Sequence, residues 1–281
     1  MSVLLRASSR PTPHGWLAAL AALLIGLAAA ACGTALPTQE PVRLTLAASN
    51  SALPLAQEIA RAYQAAYPHI SVDVLPRAND AAAAQAVLAD LADLALVSGS
   101  APASAGLVAS PVAVDALAVI VHPERSLDNL TGQQVQEILR GLLRTWEELE
   151  AGAGEIQVLA REPGSGPRAA MTDAFLGARP LTPTALILPD DQQIRARVAA
   201  DRQAMATLPA AWLDDSVRAV TIDGRGPDWV MHQWPDYPAE LPIYLLAPES
   251  VSPDAAALRE YLLSARGQRL ISRSHAPAPT P

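Results

Sequence analysis

Val112-Ala113-Val114-Asp115-Ala116-Leu117-Ala118-Val119-Ile120-Val121 is apolar throughout except for Asp115 and rich in β-branched side chains. It is long for one strand of a small sheet, where about 5–6 residues is common. A segment that leaves one sheet and enters another has this form. A second long apolar strand, Leu241–Ala247, lies in a stretch near 236–247. Two such crossings predict two α/β lobes, with the chain passing out of the first and later returning to it.

Working upstream, Leu44–Ala48 reads as a buried strand that runs into Ser49-Asn50-Ser51, residues suited to start a helix. Leu55, Ile59, Ala62, Tyr63 and Ala66 recur at the helical period until Pro68 stops them. Ile70, Val72 and Val74 alternate as a second strand, Asp80 to Leu91 is an Ala-rich helix, and Leu94–Val97 is a third strand ending at Ser98. Strand and helix alternating at this spacing mean a parallel sheet covered by helices. Downstream of the first crossing, Thr131 and Gln134 form a capping box for a helix to Arg140. Ile156–Ala160 is a strand, Pro167 opens a helix in its first turn, and Leu186-Ile187-Leu188, a helix from about Asp191 and Val217–Ile222 follow. Asp254–Leu263 is the closing helix. The expected fold is therefore α/β, two lobes of mainly parallel sheet covered by helices, with two hinge crossings. Lobe 1 spans residues 42–115 plus 240–275, lobe 2 spans 116–239, and the Pro-rich tail from His275, above all 276–281, is expected to be disordered.

The chain of 281 residues is 51% hydrophobic and 17% charged, which is globular rather than disordered. All its basic side chains besides histidine are Arg, and the net charge of -8 argues against a nucleic-acid partner, which needs a basic face. At the N-terminus Arg6, Arg10 and His14 precede an uncharged run from Trp16 to Ala31, shorter than the roughly 20 residues that span a bilayer. A basic head, a short apolar stretch and small residues before Cys32 form a secretory signal. The stretch resembles a bacterial lipoprotein signal, with residues 1–31 removed and Cys32 lipidated, although Ala29 stands where that pattern usually has Leu. The resemblance implies an exported chain anchored to the outer face of the cell membrane, with residues 32–41 as lipidated Cys and linker. Cys32 is the sole cysteine, so no internal disulfide forms.

Arg161-Glu162-Pro163-Gly164-Ser165-Gly166-Pro167-Arg168, between a strand and a helix, is the sharpest chemical constellation. Gly164 and Gly166 let backbone amides turn toward a ligand, Ser165 offers a hydroxyl, and Arg161 a planar fork suited to an oxyanion. Ser49, Asn50 and Ser51 are expected on the opposing wall, with Ser98 as a further donor and Arg77 and Asp80 in the loop after the second strand. Asp80 is the candidate acceptor for the proton that phosphate carries at neutral pH and sulfate lacks. Catalysis finds no constellation. Gly164-Ser165-Gly166 lacks the spacing of a nucleophile elbow, and the five histidines have no metal-ligand spacing. No cofactor or metal is expected, and the chain reads as no enzyme. Asp190-Asp191 reads as a helix start and Asp214-Asp215 as a solvated turn. The tryptophans, among them Trp146, Trp212, Trp229 and Trp234, read as core or hinge packing.

In their order and spacing these pieces resemble the periplasmic phosphate-binding proteins of bacterial phosphate ABC transporters. The matching stretches are Ser49 with its helix and Tyr67-Pro68, Ala92-Asp93-Leu94-Ala95 with Ser98, and Asp115 to Val121. Leu130-Thr131 leading to Ile138 and Gly141, Trp146-Glu147-Glu148-Leu149, Arg161 with Gly164-Ser165-Gly166, and Gly267-Gln268 complete the set. The resemblance implies a type II periplasmic-binding-protein fold, hinge closure, a monomer, delivery to an ABC permease, and a site lined by Ser49, Ser98, Arg161, Ser165 and Gly166. This chain departs from the family at Pro167, where Thr is usual, at Gly99, where many relatives have Arg, and in the loop Arg77-Ala78-Asn79-Asp80. Molybdate, sulfate or a small organic anion as ligand, or a sensor or scaffold without ligand, therefore stand as alternatives to phosphate.

Overall fold

The computed structural model describes residues 41–99, 106–228 and 237–278. Strand β1 (Val42–Ser49) alternates into a fully buried end, and a 3-10 turn at Asn50–Ala52 leads to α1 (Leu53–Ala66). Helix α1 carries Pro54 in its first turn and turns Leu55, Ile59 and Tyr63 into the core. Then come β2 (Ile70–Arg77), α2 (Asp80–Leu88) and β3 (Leu94–Ser98). Asn79 caps α2 by accepting from Ala82 N at 2.9 Å. These three strands pair in parallel in the order β2-β1-β3, so Ser49, Arg77 and Ser98 emerge together at their carboxyl ends.

The long apolar segment becomes β4 (Leu107–Val121), a strand of 15 residues. Its first part pairs with β10 (Glu240–Pro248) and its last five residues with β8 (Ala204–Pro209), antiparallel in both cases. One strand thus belongs to both halves of the sheet. In the second half β6 (Gln157–Arg161) lies parallel between β8 and β7 (Leu186–Leu188). Two short strands, β5 (Asn129–Leu130) and β9 (Arg218–Ile222), pair beside β4. The helices here are α3 (Gly132–Leu139), α4 (Gly166–Met171), followed by a π turn at Thr172–Leu176, and α5 (Asp191–Ala200). The Thr131/Gln134 capping box is formed with both bonds present. Parallel pairing is thus confined to the outer strands of each half, and the crossing strands run antiparallel.

Each half has its own core. Leu46, Leu55, Ile59, Leu96 and Leu258 pack in the first, while Leu130, Ile138, Trp146, Met205 and Ile222 pack in the second. Trp146 is fully buried, with the Arg125 guanidinium 4.5 Å from its ring centroid, a stacked cation on an apolar wall.

Three parts of the fold differ from the sequence reading. Strand β8 has no strand-like periodicity, yet it is buried along its whole length between β4 and β6. The helix expected to close the chain, α6 (Pro253–Leu263), is followed by a further helix, α7 (Ala265–Ile271). Residues 275–278, part of the stretch expected to be disordered, are placed against the sheet. His275 and Ala276 are buried, and Ala276 and Pro277 form β11, antiparallel to β4 at Val114 and Ala113. Proline suits this edge position, since its missing N–H removes a donor the outer side does not use. Gln268 secures the same corner, donating to the Val112 carbonyl at 3.2 Å and accepting from Ala278 N at 3.3 Å. Cys32, the signal, the linker before Pro41, Trp229, Trp234 and residues 279–281 lie outside the described residues.

Candidate binding site

Strands β1, β2 and β3 of the first half and β6 and β7 of the second end facing one another, the position where parallel sheets place ligands. Residues from both halves meet there around Arg161, the last residue of β6, which is 3% exposed. Every nitrogen of its guanidinium faces a protein oxygen. Nε and Nη2 donate to the two Glu162 oxygens at 3.0 and 3.1 Å. Nη1 stands 2.7 Å from Asp191 Oδ1 and donates to Asn50 Oδ1 at 3.2 Å, with Ser51 Oγ at 3.4 Å. Nη2 also donates to the Ala78 carbonyl at 3.3 Å. Burial works against this charge, but Asp191 and Glu162 outweigh it and hold the arginine above its ordinary pKa.

Asp191 is the residue that sequence reasoning missed. Its neighbour Asp190 performs the expected capping of α5, accepting from Gln193 N at 2.7 Å. Asp191 itself is 0% exposed and accepts from Ser51 Oγ at 2.7 Å, while its own N–H donates to Asn50 Oδ1 at 2.8 Å. Burial pushes its pKa up and the Arg161 charge and hydrogen bonds pull it down. An acidic pair at a helix start looks the same whether it caps or pairs. Only the contact with Ser51, 140 positions away in sequence, tells them apart.

Asp80 forms the second focus. Its Oδ1 accepts from Ser98 N at 3.0 Å. Burial raises its pKa, while the Ser49 hydroxyl from close by, the Ser98 and Gly166 amides and the Arg161 charge lower it. The hydroxyls of Ser49 and Ser98 are buried without a well-formed hydrogen bond, Ser49 Oγ having only the nearby Asp80 carboxylate, an unusual state for such groups. Beside them the two halves touch through glycine. A Cβ on Gly166 would stand 2.3 Å from the Ser98 carbonyl oxygen and 2.5 Å from its Oγ. Gly99, at φ +87°, likewise has no room for a side chain against Gly166.

The remaining expected residues divide. Gly164 takes the left-handed conformation that the turn needs, at φ +91°. Ser165 is buried, but its hydroxyl closes its own turn by donating to the Glu162 carbonyl at 3.0 Å. Pro167 lies in the first turn of α4, as its fixed φ allows. Arg77 does not join the cluster. Its side-chain hydrogen bond goes to the Pro76 carbonyl at 3.2 Å, on an exposed surface. Among the described residues no group of three or more His, Cys, Asp or Glu could hold a metal ion.

Two facing sets of strand ends that close on a buried arginine and unpartnered hydroxyls define the two-lobed class of periplasmic binding proteins. A match to the PBP superfamily domain covers residues 35–266, and the chain belongs to that superfamily. It is 30% identical over 125 residues to the phosphate-binding protein PstS of Bacillus subtilis (strain 168), a match that spans 43% of this chain and 41% of that protein's length. A putative phosphate ABC transporter substrate-binding protein from Clostridium perfringens, solved with bound phosphate, superposes with a TM-score of 0.77 at 23% identity. That superposition covers 85% of this chain and 100% of the other. An ABC-type phosphate transport receptor from Vibrio cholerae gives 0.64 at 22% identity, over 84% of this chain and 100% of the other.

Proposed function

We propose that this chain is an extracytoplasmic solute-binding lipoprotein that captures an oxyanion, phosphate, between two lobes and presents it to the permease of an ABC importer. It works as a monomer tethered to the outer face of the membrane by a lipid on Cys32, and it performs no chemistry. The lobes of this reading are residues 42–115 plus 240–275 and 116–239. The observation that carries it is the pair of buried, unpartnered hydroxyls of Ser49 and Ser98 beside the buried Arg161. Donors left without acceptors in a closed interior cost about 1–3 kcal/mol each, and a ligand with several acceptor oxygens relieves that cost. Asp80, which accepts from the Ser98 N–H and lies close to the Ser49 hydroxyl, supplies the acceptor that a protonated phosphate oxygen requires. The likeness to phosphate-binding relatives supports the same ligand.

Binding favours the closed arrangement, because the donors come from both halves. Ligand therefore shifts the population toward closure. The test is a thermal-shift series on the full-length chain in detergent, after exhaustive dialysis, with phosphate, sulfate, molybdate, arsenate and small carboxylates. Phosphate at about a hundred times its Kd is expected to stabilise by about 2.7 kcal/mol, and Arg161→Ala to abolish the shift. A shift with another anion alone replaces the ligand. No shift with any of them leaves a sensor or scaffold that kept the fold.

A further inference from the structure

We infer that Asp115 is a proton-operated switch of the hinge: the closed arrangement holds it as the neutral acid and the open one as the carboxylate, so closure takes up a proton. This rests on the reading of the chain as two lobes that close on an anion.

Asp115 lies in β4, the strand shared by both halves, and is 2% exposed. Its Oδ1 accepts from the neighbouring Ala116 N at 2.7 Å. Oδ2 accepts at 3.1 Å from Ala211 N, in the 3-10 turn Ala210–Trp212 of the second half. That turn also meets helix α1 of the first half. On the other side of Oδ2, at 3.9 Å, stands His275 Nε2. The residue before it, Ser274, donates to Glu58 of α1 at 2.6 Å and lies 2.9 Å from His275 Nδ1. One carboxyl oxygen thus sits between an amide of the second half and a ring tied to the first.

Nothing around this carboxyl favours its charge except those two amides. Among the described residues no arginine pairs with it. Tyr237, whose hydroxyl donates to the Leu117 carbonyl at 3.2 Å, and Asp191 further off bring no positive charge. Burial keeps His275 neutral, its pKa lowered to about 4. For Asp115 burial outweighs both amides and raises the acid to about 7. Separation of the halves draws the Ala211 turn away from α1 and lets water in. Loss of the Ala211 bond raises the pKa and hydration lowers it, and hydration is the larger effect because burial is the larger cause. The closed form therefore has the higher pKa. Its extra stability is complete below the open-state value and is lost as pH rises toward 7.

Calorimetric titration with sodium phosphate at about pH 5 and about pH 7.5, on the full-length chain in detergent, tests this for the natural sequence and Asp115→Asn. The titration of phosphate and of the cleft carboxylates is common to both chains and cancels in the ratio of their Kd values. That ratio, natural over variant, is expected to rise about tenfold or more between the two pH values. A constant ratio in a folded variant overturns the inference and leaves the phosphate reading standing. If phosphate does not bind, small-angle scattering without ligand decides. A natural chain that expands from the lower pH to the higher, with a variant that keeps its radius, supports the switch and removes phosphate as the ligand. If the natural chain neither binds phosphate nor changes its radius, both fall. Should Asp115→Asn not fold, Asp115→Ser, smaller and equally free of charge, takes its place with the same outcomes.

Discussion

Asp115 and His275 sit together inside the hinge, Oδ2 and Nε2 3.9 Å apart, and both are buried. Burial raises Asp115 to about 7, although the Ala211 and Ala116 amides pull it down, and burial lowers His275 to about 4. The native aspartic acid keeps a proton that the unfolded chain loses. Its stabilising effect is present below its ordinary pKa of 3.8 and is lost as pH rises toward 7. The native histidine refuses a proton that the unfolded chain takes up. Its effect is present above 6.5 and is lost as pH falls toward 4. Over the shared window the slopes oppose, each about 1.4 kcal/mol per pH unit. Urea melts of the natural chain are therefore expected to show little change from this pair between about pH 4.5 and 6. Asp115→Asn should make stability rise with pH across that range, and His275→Gln should make it fall. Profiles that all run parallel would remove this account. A simpler case is Trp146→Ala, expected to cost about 3–5 kcal/mol in the same assay, because it empties a fully buried site beneath Arg125.

Elements differ in how openly the sequence announces them. Strand β4 is legible because its apolar run is too long for one sheet, and α3 because Thr131 and Gln134 stand three residues apart. Strand β8, Ala-Met-Ala-Thr-Leu-Pro, has one β-branched residue and no alternation. It is a strand because β4 and β6 supply partners on both sides and every side chain is buried, which is tertiary information. The same holds for β11, whose two residues pair only because β4 passes beside them. Of the site, Arg161 and the glycine turn could be read from residue type and order. The contact of Asp191 with Ser51 could not, since it depends on how the two halves meet. Removing residues 276–281 is expected to lower unfolding free energy by about 2 kcal/mol, about 1 for each of the ladder and Gln268 hydrogen bonds lost. Chemical denaturation would check it, and an unchanged midpoint would show that β11 adds nothing. Thr131→Ala should cost about 1 kcal/mol by removing one arm of the capping box.

At the scale of the whole molecule, the approach of Gly166 to Ser98 sets how far the two halves can close. Any side chain at Gly166 meets the Ser98 carbonyl at less than contact distance. Gly166→Ala is therefore expected to leave the separate cores intact but to hold the halves apart. Anion affinity should fall about tenfold or more, as donors from one half no longer reach a ligand seated on the other. Small-angle scattering with and without phosphate would show a compaction in the natural chain that the variant lacks. Equal compaction in both would mean that this contact does not limit closure.

Trp212 lies in the 3-10 turn Ala210–Trp212 after β8, where that turn meets helix α1 of the first half. Its indole N–H is buried without an acceptor, and the Arg195 guanidinium stands 6.0 Å from the ring centroid. The ring packs against the cluster of Ile120, Ile194 and Leu208 in the second half, and separation of the halves is expected to move its emission to longer wavelength only as far as α1 covers it. With the other tryptophans replaced by phenylalanine, stopped-flow emission would test whether this ring reports opening, and an unchanged spectrum on binding would show that it does not.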